Sequence, residues 1–312
     1  MVSDGWPKPR VGSTIHFFVF NTIYCHSYFN QIMMNHIRIR SLIVSLAVCL
    51  LAAMNVSAQQ NFKRIVSLNG AVTEIVCALG FESALVGVDV TSTYPASMKQ
   101  VAKVGHNRNI SAEPVLALQP DLILATDNFI QPAVIEQFKN VGVKTVLIKQ
   151  EFSVAGTKKL ITEVAAALKV PEKGAALVKQ LDKEQQALHI KPQPKKVLFI
   201  YARGAGTMMV AGKETPLDKI IALAGAQNAA TGFNDFKPLT PEALVTANPD
   251  VILMFDDGLK SMGGVDGLLK VQGIEQTTAG KQKKVIVMDG QLLTGFGPRV
   301  IQAVQELAGK LN

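Results

Sequence analysis

Tyr94 is the residue whose type and position most clearly suggest chemistry. It lies in the segment Asp89–Pro95, which follows the short apolar run Leu85–Val88. A phenolate is a hard, anionic oxygen ligand that suits ferric iron, and Pro95 restrains the backbone directly after the ring. The segment leaves the carboxyl end of a predicted strand, where open α/β folds bind ligands. Two interpretations remain open: an iron-binding tyrosine, or a tyrosine packed against its own loop.

A second group of candidate binding residues follows the predicted strand Lys196–Tyr201. Arg203 carries a planar guanidinium that matches the geometry of a carboxylate. Met208 and Met209 could pack on the face of an aromatic ligand, as thioethers do. Tyr201, at the end of the strand, is a further candidate for the same site. The alternative is a solvated loop whose methionines belong to the core.

Dinucleotide and hydrolytic sites are not supported by the sequence. The glycine-rich run that begins at Gly204 has Met209 where the third glycine of G-x-G-x-x-G would stand. The motifs G-x-S-x-G and H-E-x-x-H are absent from the chain. We expect His106 to have a polar loop role and His189 to interact with a helix end. The chain is therefore predicted not to be an enzyme, with an exported α/β metal-dependent enzyme as a remote alternative.

Short apolar strands alternate with helices along the chain, a pattern typical of parallel sheets covered on both faces. The predicted strands are Arg64–Leu68, Leu85–Val88, Leu122–Ala125, Thr145–Ile148, Lys196–Tyr201, Val251–Phe255 and Val285–Met288. The predicted helices are Thr73–Leu79, Ser111–Leu118, Ala133–Asn140, Leu217–Ala224, Pro241–Ala247 and Arg299–Leu311.

One long helix, Pro171–Ile190, is predicted between the two halves of this pattern. Pro171 suits a first helical position, since it lacks an N–H that would have no partner there. Leu181 and its apolar neighbours at helical spacing form one face, with Lys and Glu on the other. We therefore expect a linker helix at 171–190 between an N-terminal α/β lobe at 59–170 and a C-terminal α/β lobe at 191–312.

An internal repeat supports two like lobes. The 14 residues from Ser111 align without gaps on the 14 residues from Thr240, and Glu113 coincides with Glu242. Each copy is predicted to be a capped helix, a Pro-Asp turn and a buried strand. The fold class is thus predicted as α/β, with two Rossmann-like lobes of parallel sheet and a ligand cleft between them, where clefts commonly bind ligands.

Residues 1–58 have the composition of an export signal rather than of a folded domain. A start at Met33 or Met34 would place a basic segment before the apolar run Leu42–Ala53. We expect cleavage after Ala58, with residues 1–32 as an upstream extension. A lipoprotein anchored through Cys49 is the alternative.

Composition restricts the classes of partner. The chain is 48% hydrophobic, which fits a folded globular protein rather than a disordered one. Removal of residues 1–58 takes away four Lys/Arg and one Asp, which lowers the formal net charge from +8 to +5. That charge is spread along the chain, so no nucleic-acid interface is expected. Cys77 is then the remaining cysteine, and we expect a small core residue there.

The segments Val88–Pro95 and Gly295–Arg299 carry a more specific signal. With the export signal, the two lobes, the linker helix and the repeat, they resemble the periplasmic binding proteins of ABC importers that serve siderophores, cobalamin and haem. Within that family they are most similar to haem carriers of the enterobacterial type. The resemblance covers residues 62–312.

The resemblance implies that the chain binds ferric haem b in the periplasm and delivers it to an ABC permease dimer with its ATPase. It implies a monomer without a stable membrane anchor. The implied roles are an axial iron ligand at Tyr94, a propionate partner at Arg203, ligand contacts at Tyr201, Met208, Met209 and Phe296, and permease docking at Glu113 and Glu242.

The stoichiometry and the ligand also follow from the resemblance. Some haem carriers have a second ligand, a histidine, in the other lobe; that pattern is not matched here, which implies one haem, five-coordinate through Tyr94. A ferric-siderophore or cobalamin carrier is the alternative. Siderophore sites usually present several basic or aromatic side chains, whereas the chain after residue 58 has four Arg, two Tyr and no Trp.

Overall fold

A computed structural model describes residues 62–127, 129–204, 206 and 208–312. The predicted extension, the signal peptide and Cys49 lie outside the described residues. The described part falls within one compact unit, Asn61–Asn312. It contains two β-sheets with helices packed against them, so the predicted α/β fold class with two lobes is confirmed.

The first sheet has five parallel strands in the order β3-β2-β1-β4-β5. Its strands are β1 Ile65–Ser67, β2 Leu85–Val88, β3 Ala102–Lys103, β4 Leu122–Thr126 and β5 Lys144–Ile148. The helices of this half are α1 Gly70–Ala78, α2 Ala112–Leu116, α3 Pro132–Asn140 and α4 Val154–Ala167. Sequence patterns did not predict β3, a strand of two exposed residues.

Helix α1 begins at Gly70, three residues before the predicted start at Thr73. Asn69 is the reason, because its Oδ1 accepts the N–H groups of Ala71 at 2.8 Å and Val72 at 3.2 Å. Asn69 is therefore the N-cap of this helix.

The two repeat helices differ at their N-termini. In the second copy, the Thr240 hydroxyl accepts the N–H of Ala243 at 3.2 Å, so the predicted cap is confirmed. In the first copy, the Ser111 side chain makes no capping hydrogen bond, so the predicted cap is wrong. Helix α2 has only five residues and ends at Leu116.

Helix α4 was not predicted, although its sequence carries the signals. The Ser153 hydroxyl accepts the N–H of Gly156 at 2.9 Å as an N-terminal cap. Leu160, Ile161 and Val164 are buried at helical spacing.

The predicted linker helix is present as α5, Pro171–Ala187. It ends three residues before the predicted Ile190, where Nδ1 of His189 lies 3.0 Å from the carbonyl oxygen of Ala187. Gly174 allows α5 to lie close to α4, since a Cβ at this position would stand 2.4 Å from the Cβ of Ala165. This close contact packs α5 against α4, in the first half of the chain.

The second sheet is mixed, so the prediction of a wholly parallel sheet is wrong here. Its strands are β6 Lys196–Ala202, β7 Met208–Ala211, β8 Gln227–Asn228, β9 Phe236–Pro238, β10 Val251–Phe255 and β11 Val285–Met288. The order is β11-β10-β6-β7-β9, and β8 also pairs with β6. Strand β7 runs antiparallel to β6 and β9. Only residues 203–207 join β6 to β7, and a connection this short closes a hairpin because a parallel crossover needs a dozen or more residues.

The helices of this half are α6 Pro216–Leu223, α7 Pro241–Ala247, α8 Asp256–Ser261, α9 Gly264–Leu269, α10 Thr278–Lys281, α11 Gly290–Thr294 and α12 Val300–Leu311. Of these, α8, α9, α10 and α11 were not predicted. Single 3₁₀ turns lie at Glu82–Ala84, Ala96–Gln100, Asn107–Asn109 and Ile274–Gln276.

One hydrophobic core joins both sheets. It runs from Leu124 of the first sheet through Ile161 and Leu181 to Phe199 of the second sheet and Val304 of α12. Because apolar surface from both lobes is buried in one cluster, separating the lobes would expose it to water. Among the described residues, no helix has the length and apolar character needed to cross a membrane.

Candidate ligand cleft

A cavity of about 520 Å³ lies between the two sheets and is lined by residues of both lobes. On the first-lobe side its walls are formed by loops that follow β1, β2, β3, β4 and β5. On the second-lobe side they come from β6, β7, β9, β10, α6 and α11. Its size lies within the range of small-molecule sites. The predicted cleft between the lobes therefore exists.

The cavity is mainly apolar and aromatic. Four phenylalanines, one methionine and one leucine contribute to its walls: Phe129, Phe152, Phe236, Phe255, Met209 and Leu217. The rings of Tyr201 and Phe255 pack edge to face with their centroids 6.2 Å apart. Such walls favour a flat, apolar ligand, because its burial removes apolar surface from water.

His106 is the ionisable ring on the first-lobe wall. Its Nδ1 accepts the backbone N–H of Arg108 at 3.2 Å, which fixes the orientation of the imidazole. Burial lowers the pKa of His106 below its ordinary value of 6.5. The positive charges of Arg108 and Arg203 act in the same direction, and Asp89 opposes them. The lowered pKa favours the neutral imidazole, which is the form that binds metals.

Tyr201 is the corresponding ring on the second-lobe wall. Arg203 follows it by two residues, and its guanidinium carbon lies 5.9 Å from the centroid of the Tyr201 ring. On the other wall, Arg108 follows His106 by two residues and lies 4.7 Å from the ring centroid of Phe129. Each lobe therefore presents one potential iron ligand and, two residues later, one arginine.

Tyr94 does not line this cavity, contrary to the prediction. It lines a different groove, of about 920 Å³, together with residues of α1, α5 and α12. The phenol ring is 44% exposed, and the guanidinium carbon of Arg299 lies 3.5 Å from its centroid. Thr91 lines the ligand cavity, and the loop turns between Thr91 and Tyr94. The Tyr94 ring therefore lies in the other groove.

Two other predicted contacts are also displaced from the cavity. Phe296 is 1% exposed and packs edge to face on Phe152, with the centroids 5.6 Å apart, so it supports the wall from behind. Met208 and Met209 are neighbours in a strand and point to opposite faces. Met209 therefore lines the ligand cavity, whereas Met208 lines a separate groove of about 300 Å³.

Glu113 and Glu242, the predicted docking residues, are both exposed in the first turn of their helices, α2 and α7. Each is the second residue of its helix.

Sequence reasoning gave His106 no part in the binding site. The signal that could have identified it is the shared spacing of His106 with Arg108 and of Tyr201 with Arg203. Gln291 was also missed, although it lines the cavity from the first turn of α11. Within the described part of the chain, no group of three or more His, Cys, Asp or Glu residues could hold a metal ion.

Comparisons with known proteins agree with this architecture. A family model described as "Periplasmic binding protein" matches residues 65–292. The chain is 32% identical over 261 residues to an uncharacterized ABC transporter substrate-binding lipoprotein, YvrC, of Bacillus subtilis, covering 81% of each chain. It is 28% identical over 214 residues to the vitamin B12-binding protein of Vibrio parahaemolyticus, covering 65% of this chain and 76% of that protein.

Solved structures with the same fold include periplasmic haem-binding proteins. RhuT from Roseiflexus sp. RS-1, in its apo form, superposes with a TM-score of 0.75 at 40% identity and covers 80% of this chain and 97% of its own. BhuT in complex with two haems gives a TM-score of 0.74 at 40% identity, with the same coverage.

HmuT, a haem-binding protein, has been solved as variants in which an arginine, a tyrosine or a histidine is replaced by alanine. The arginine variant gives a TM-score of 0.74 at 31% identity and covers 81% of each chain. The replaced tyrosine and arginine of HmuT stand two residues apart.

The two-lobed α/β fold, the cavity between the lobes and the match over residues 65–292 lead to one conclusion. This chain belongs to the periplasmic binding protein family.

Proposed function

We propose that the chain binds ferric haem b in the cleft between its lobes and delivers it to an ABC permease in the inner membrane. The observation that carries this proposal is the pairing of His106 and Tyr201, one on each wall of a single aromatic cavity. Solved relatives with the same fold at 40% identity are haem-binding proteins, which supports the same ligand. The protein carries its ligand and performs no reaction on it.

His106 replaces Tyr94 as the candidate iron ligand of the first lobe. Its imidazole lines the cavity, whereas the Tyr94 ring lies in the other groove, under Arg299. His106 Nδ1 accepts a hydrogen bond from the Arg108 N–H, so in the neutral imidazole Nε2 carries the proton. Coordination through Nε2 requires the other tautomer, with the proton on Nδ1. Iron binding should therefore break the contact between Nδ1 and the Arg108 N–H.

Tyr201 is the candidate ligand of the second lobe, since its phenolic oxygen can bind ferric iron as a phenolate. The tyrosine and arginine that were replaced in HmuT share the spacing of Tyr201 and Arg203. A haem held between His106 and Tyr201 would be six-coordinate, in contrast to the five-coordinate haem that the resemblance implied.

Arg108 and Arg203 are suited to the two propionates of haem. Both are exposed near the cavity, one from each lobe, and guanidinium groups bind carboxylates with two parallel hydrogen bonds. Because both are exposed, each contact should contribute only about 1 kcal/mol. Met209 and the phenylalanines would contact the porphyrin faces.

The test is a hemin titration of the exported chain, followed by its absorption spectrum. We expect one haem per chain. His106→Ala and Tyr201→Phe should each change the spectrum and raise Kd at least about tenfold, the cost of about 1.4 kcal/mol. Tyr94→Phe is the matched control and should leave both unchanged. Absence of hemin binding would overturn the proposed ligand. Loss of the spectrum in Tyr94→Phe, with His106→Ala unchanged, would restore Tyr94 as the iron ligand.

A cobalamin carrier is the second candidate, because relatives include vitamin B12-binding proteins. Two arginines at the cavity favour a ligand with carboxylates over one whose side chains are mainly neutral amides. Cyanocobalamin in excess should therefore fail to displace hemin. A ferric siderophore remains a third ligand to include in the same competition.

Membership of the family supports proposals for export and delivery. We propose that the chain reaches the periplasm through a signal peptide cleaved after Ala58 and acts there as a soluble monomer. Anchoring through Cys49 is the alternative, since the relative YvrC is named a lipoprotein. Glu113 and Glu242 are proposed to contact the two subunits of the permease, which binds the ATPase on its other side.

A further inference from the structure

Beside the ligand cavity, one glutamine side chain makes several hydrogen bonds between the lobes. Gln291 lies in the first turn of α11, in the second lobe, and is 7% exposed. Its Oε1 accepts three hydrogen bonds from the first lobe: from the backbone N–H of Thr93 at 2.6 Å, from the Thr93 hydroxyl at 3.0 Å and from the N–H of Tyr94 at 2.7 Å.

The amide nitrogen of Gln291 is also bonded to the first lobe. Nε2 donates to the carbonyl oxygen of Gly70 at 2.9 Å and lies 3.5 Å from Oε2 of Glu74. Both ends of one buried side chain are thus satisfied by the opposite lobe. Because an unsatisfied buried amide is costly, the lobes cannot separate at this point without a penalty.

The backbone at Gly70 is adapted to this contact. A Cβ at Gly70 would lie 3.1 Å from the carbonyl oxygen of Thr91 and 3.3 Å from the side chain of Gln291. A side chain at this position would therefore force Thr91 or Gln291 to shift by a few tenths of an ångström, whereas glycine leaves the contact undisturbed. Gly70, Thr91 and Gln291 all line the ligand cavity, so this contact forms part of its wall.

Neighbouring contacts hold the same second-lobe segment. Nε2 of Gln150 donates to the carbonyl oxygen of Gly295 at 2.8 Å, and the Thr157 hydroxyl donates to that of Phe296 at 2.8 Å. The segment that begins at Gln291 is therefore fixed to the first lobe at several points. Gln291 makes the largest number of these bonds and also faces the ligand.

We propose that Gln291 is a positioning residue that fixes the separation of the two cavity walls, acting through the Thr93–Tyr94 backbone and Gly70. The two walls, and with them His106 and Tyr201, are then held at a set distance before the ligand arrives. A preformed site loses less free energy on binding than one that must first be ordered. The inference rests on the proposed function only for the identity of the ligand.

Two substitutions distinguish the contacts of Oε1 from those of Nε2. Gln291→Ala removes both sets of bonds. Gln291→Glu keeps an acceptor for Thr93 and Tyr94. When ionised, however, it cannot donate to Gly70 and places a negative charge beside Glu74. Protonation of the introduced carboxyl at low pH restores a donor. The defect of Gln291→Glu should therefore be relieved at low pH, whereas that of Gln291→Ala should persist.

The first readout does not depend on haem. Spin labels at Asn140→Cys and Lys260→Cys, exposed positions in the first and second lobes, report the inter-lobe distance in a Cys77→Ala background. At pH 7.5 both Gln291 variants should give broader distance distributions than the parent, and at pH 5 only Gln291→Ala should remain broad. Gln282→Ala, an exposed glutamine of the second lobe, is the control. A distribution as narrow as that of the parent in both variants would overturn the proposal.

The second readout is the rate of hemin release, compared with the parent protein at the same pH. Both variants should release hemin about tenfold faster at pH 7.5, the effect of losing about one net hydrogen bond. At pH 5 Gln291→Glu should approach the parent rate. Faster release with an unchanged distance distribution would assign Gln291 to direct ligand contact and reject positioning. If the parent chain binds no hemin, the proposed function fails, while the spin-label distances still decide the role of Gln291.

Discussion

The guanidinium carbon of Arg299 lies 3.5 Å from the centroid of the Tyr94 ring, so a second-lobe cation covers a first-lobe tyrosine. Arg299 also donates from Nε and Nη2 to the two carboxylate oxygens of Glu74, at 3.0 and 2.9 Å. Glu74 is 6% exposed. The pair thus joins the two lobes on the side of the large groove, next to the contacts of Gln291.

Arg299→Ala should destabilise the protein strongly, because it leaves the buried carboxylate of Glu74 without its partner. Removing one member of a buried pair typically costs about 3–5 kcal/mol. Urea unfolding at pH 7.5 measures this change, with Lys310→Ala as the control: Lys310 forms an exposed pair with Glu306, worth at most about 0.5 kcal/mol. Equal effects of the two substitutions would contradict this assignment of Arg299.

Tyr94→Leu in the same assay removes the aromatic face under Arg299. Exposed contacts of this kind are worth about 0.5–1 kcal/mol. We therefore expect a small loss of stability and no change in the hemin spectrum.

The contact between Tyr94 and Arg299 shows why the sequence predicted the fold better than the binding site. Strand and helix patterns depend on local periodicity, and most elements that carry a strong pattern were placed to within a few residues. Tyr94 and Arg299 lie in the two segments that resemble haem carriers, and the structure brings them into contact with each other, outside the cavity between the lobes. The side of the sheet on which a loop residue emerges depends on tertiary packing, which one sequence does not reveal.

His106 illustrates the same limit from the other direction. His106 lies in the loop that follows β3. This strand has only two residues and pairs with β2 at the edge of the sheet. No periodic pattern therefore indicated that the loop follows a strand. Likewise, β7 was assigned to a loop because it is a short hairpin strand. Its place in the sheet decides that Met209, and not Met208, contacts the cavity.

The pKa of His106, lowered by burial, predicts how haem binding depends on pH. Coordination needs the unprotonated imidazole. The gain in hemin affinity of the parent over His106→Ala should therefore stay constant as the pH falls from 8 to about 6.5, the ordinary histidine value, and should decline only at lower pH. The proton that Tyr201 loses on binding as a phenolate affects both proteins alike and cancels in this comparison. Hemin titrations at intervals of half a pH unit measure this, with His189→Ala as a control whose profile should not change. A decline already complete at pH 6.5 would contradict the prediction.

The same shift predicts a pH dependence of stability in the ligand-free chain. Between the lowered pKa and about 6.5, the unfolded chain binds a proton at His106 that the folded chain does not. The free energy of unfolding should therefore rise with pH in this window. As the pH falls through the window, the folded chain should lose stability relative to the unfolded chain. His106→Gln should reduce the slope, which urea unfolding at pH 5.5, 6.0 and 6.5 can detect.

Cys77 should be almost unreactive in the folded protein. Burial raises the pKa of its thiol to about 12, and the charges of Glu82 and Glu74 add to the effect. Because the thiolate is the nucleophile, alkylation by iodoacetamide at pH 8 should be slower than for an exposed cysteine by about 10³-fold. Mass spectrometry of the alkylated peptide measures the rate, and the chain unfolded in urea serves as the reference. Rapid alkylation of the folded chain would show that the thiol is accessible.

The last prediction concerns delivery to the permease. Glu113 and Glu242 are exposed at the starts of α2 and α7, which occupy equivalent places in the two lobes. A permease dimer with two-fold symmetry would meet both lobes through like contacts. Exposed charge pairs are screened by salt, so docking through these residues should weaken as ionic strength rises.

Replacing Glu113 and Glu242 together by alanine should leave hemin binding unchanged and reduce haem transfer into proteoliposomes that contain the permease and its ATPase. Acidic residues in a first helical turn also stabilise the helix by about 0.3–1 kcal/mol, so a matched control is needed. Glu136→Ala with Glu275→Ala provides it, since these exposed glutamates also lie one in each lobe. If both double variants transfer haem at the parent rate, the repeat glutamates serve only their helices. If only the Glu113/Glu242 variant is slow, and added salt slows the parent chain to a similar rate, the two carboxylates are the docking contacts.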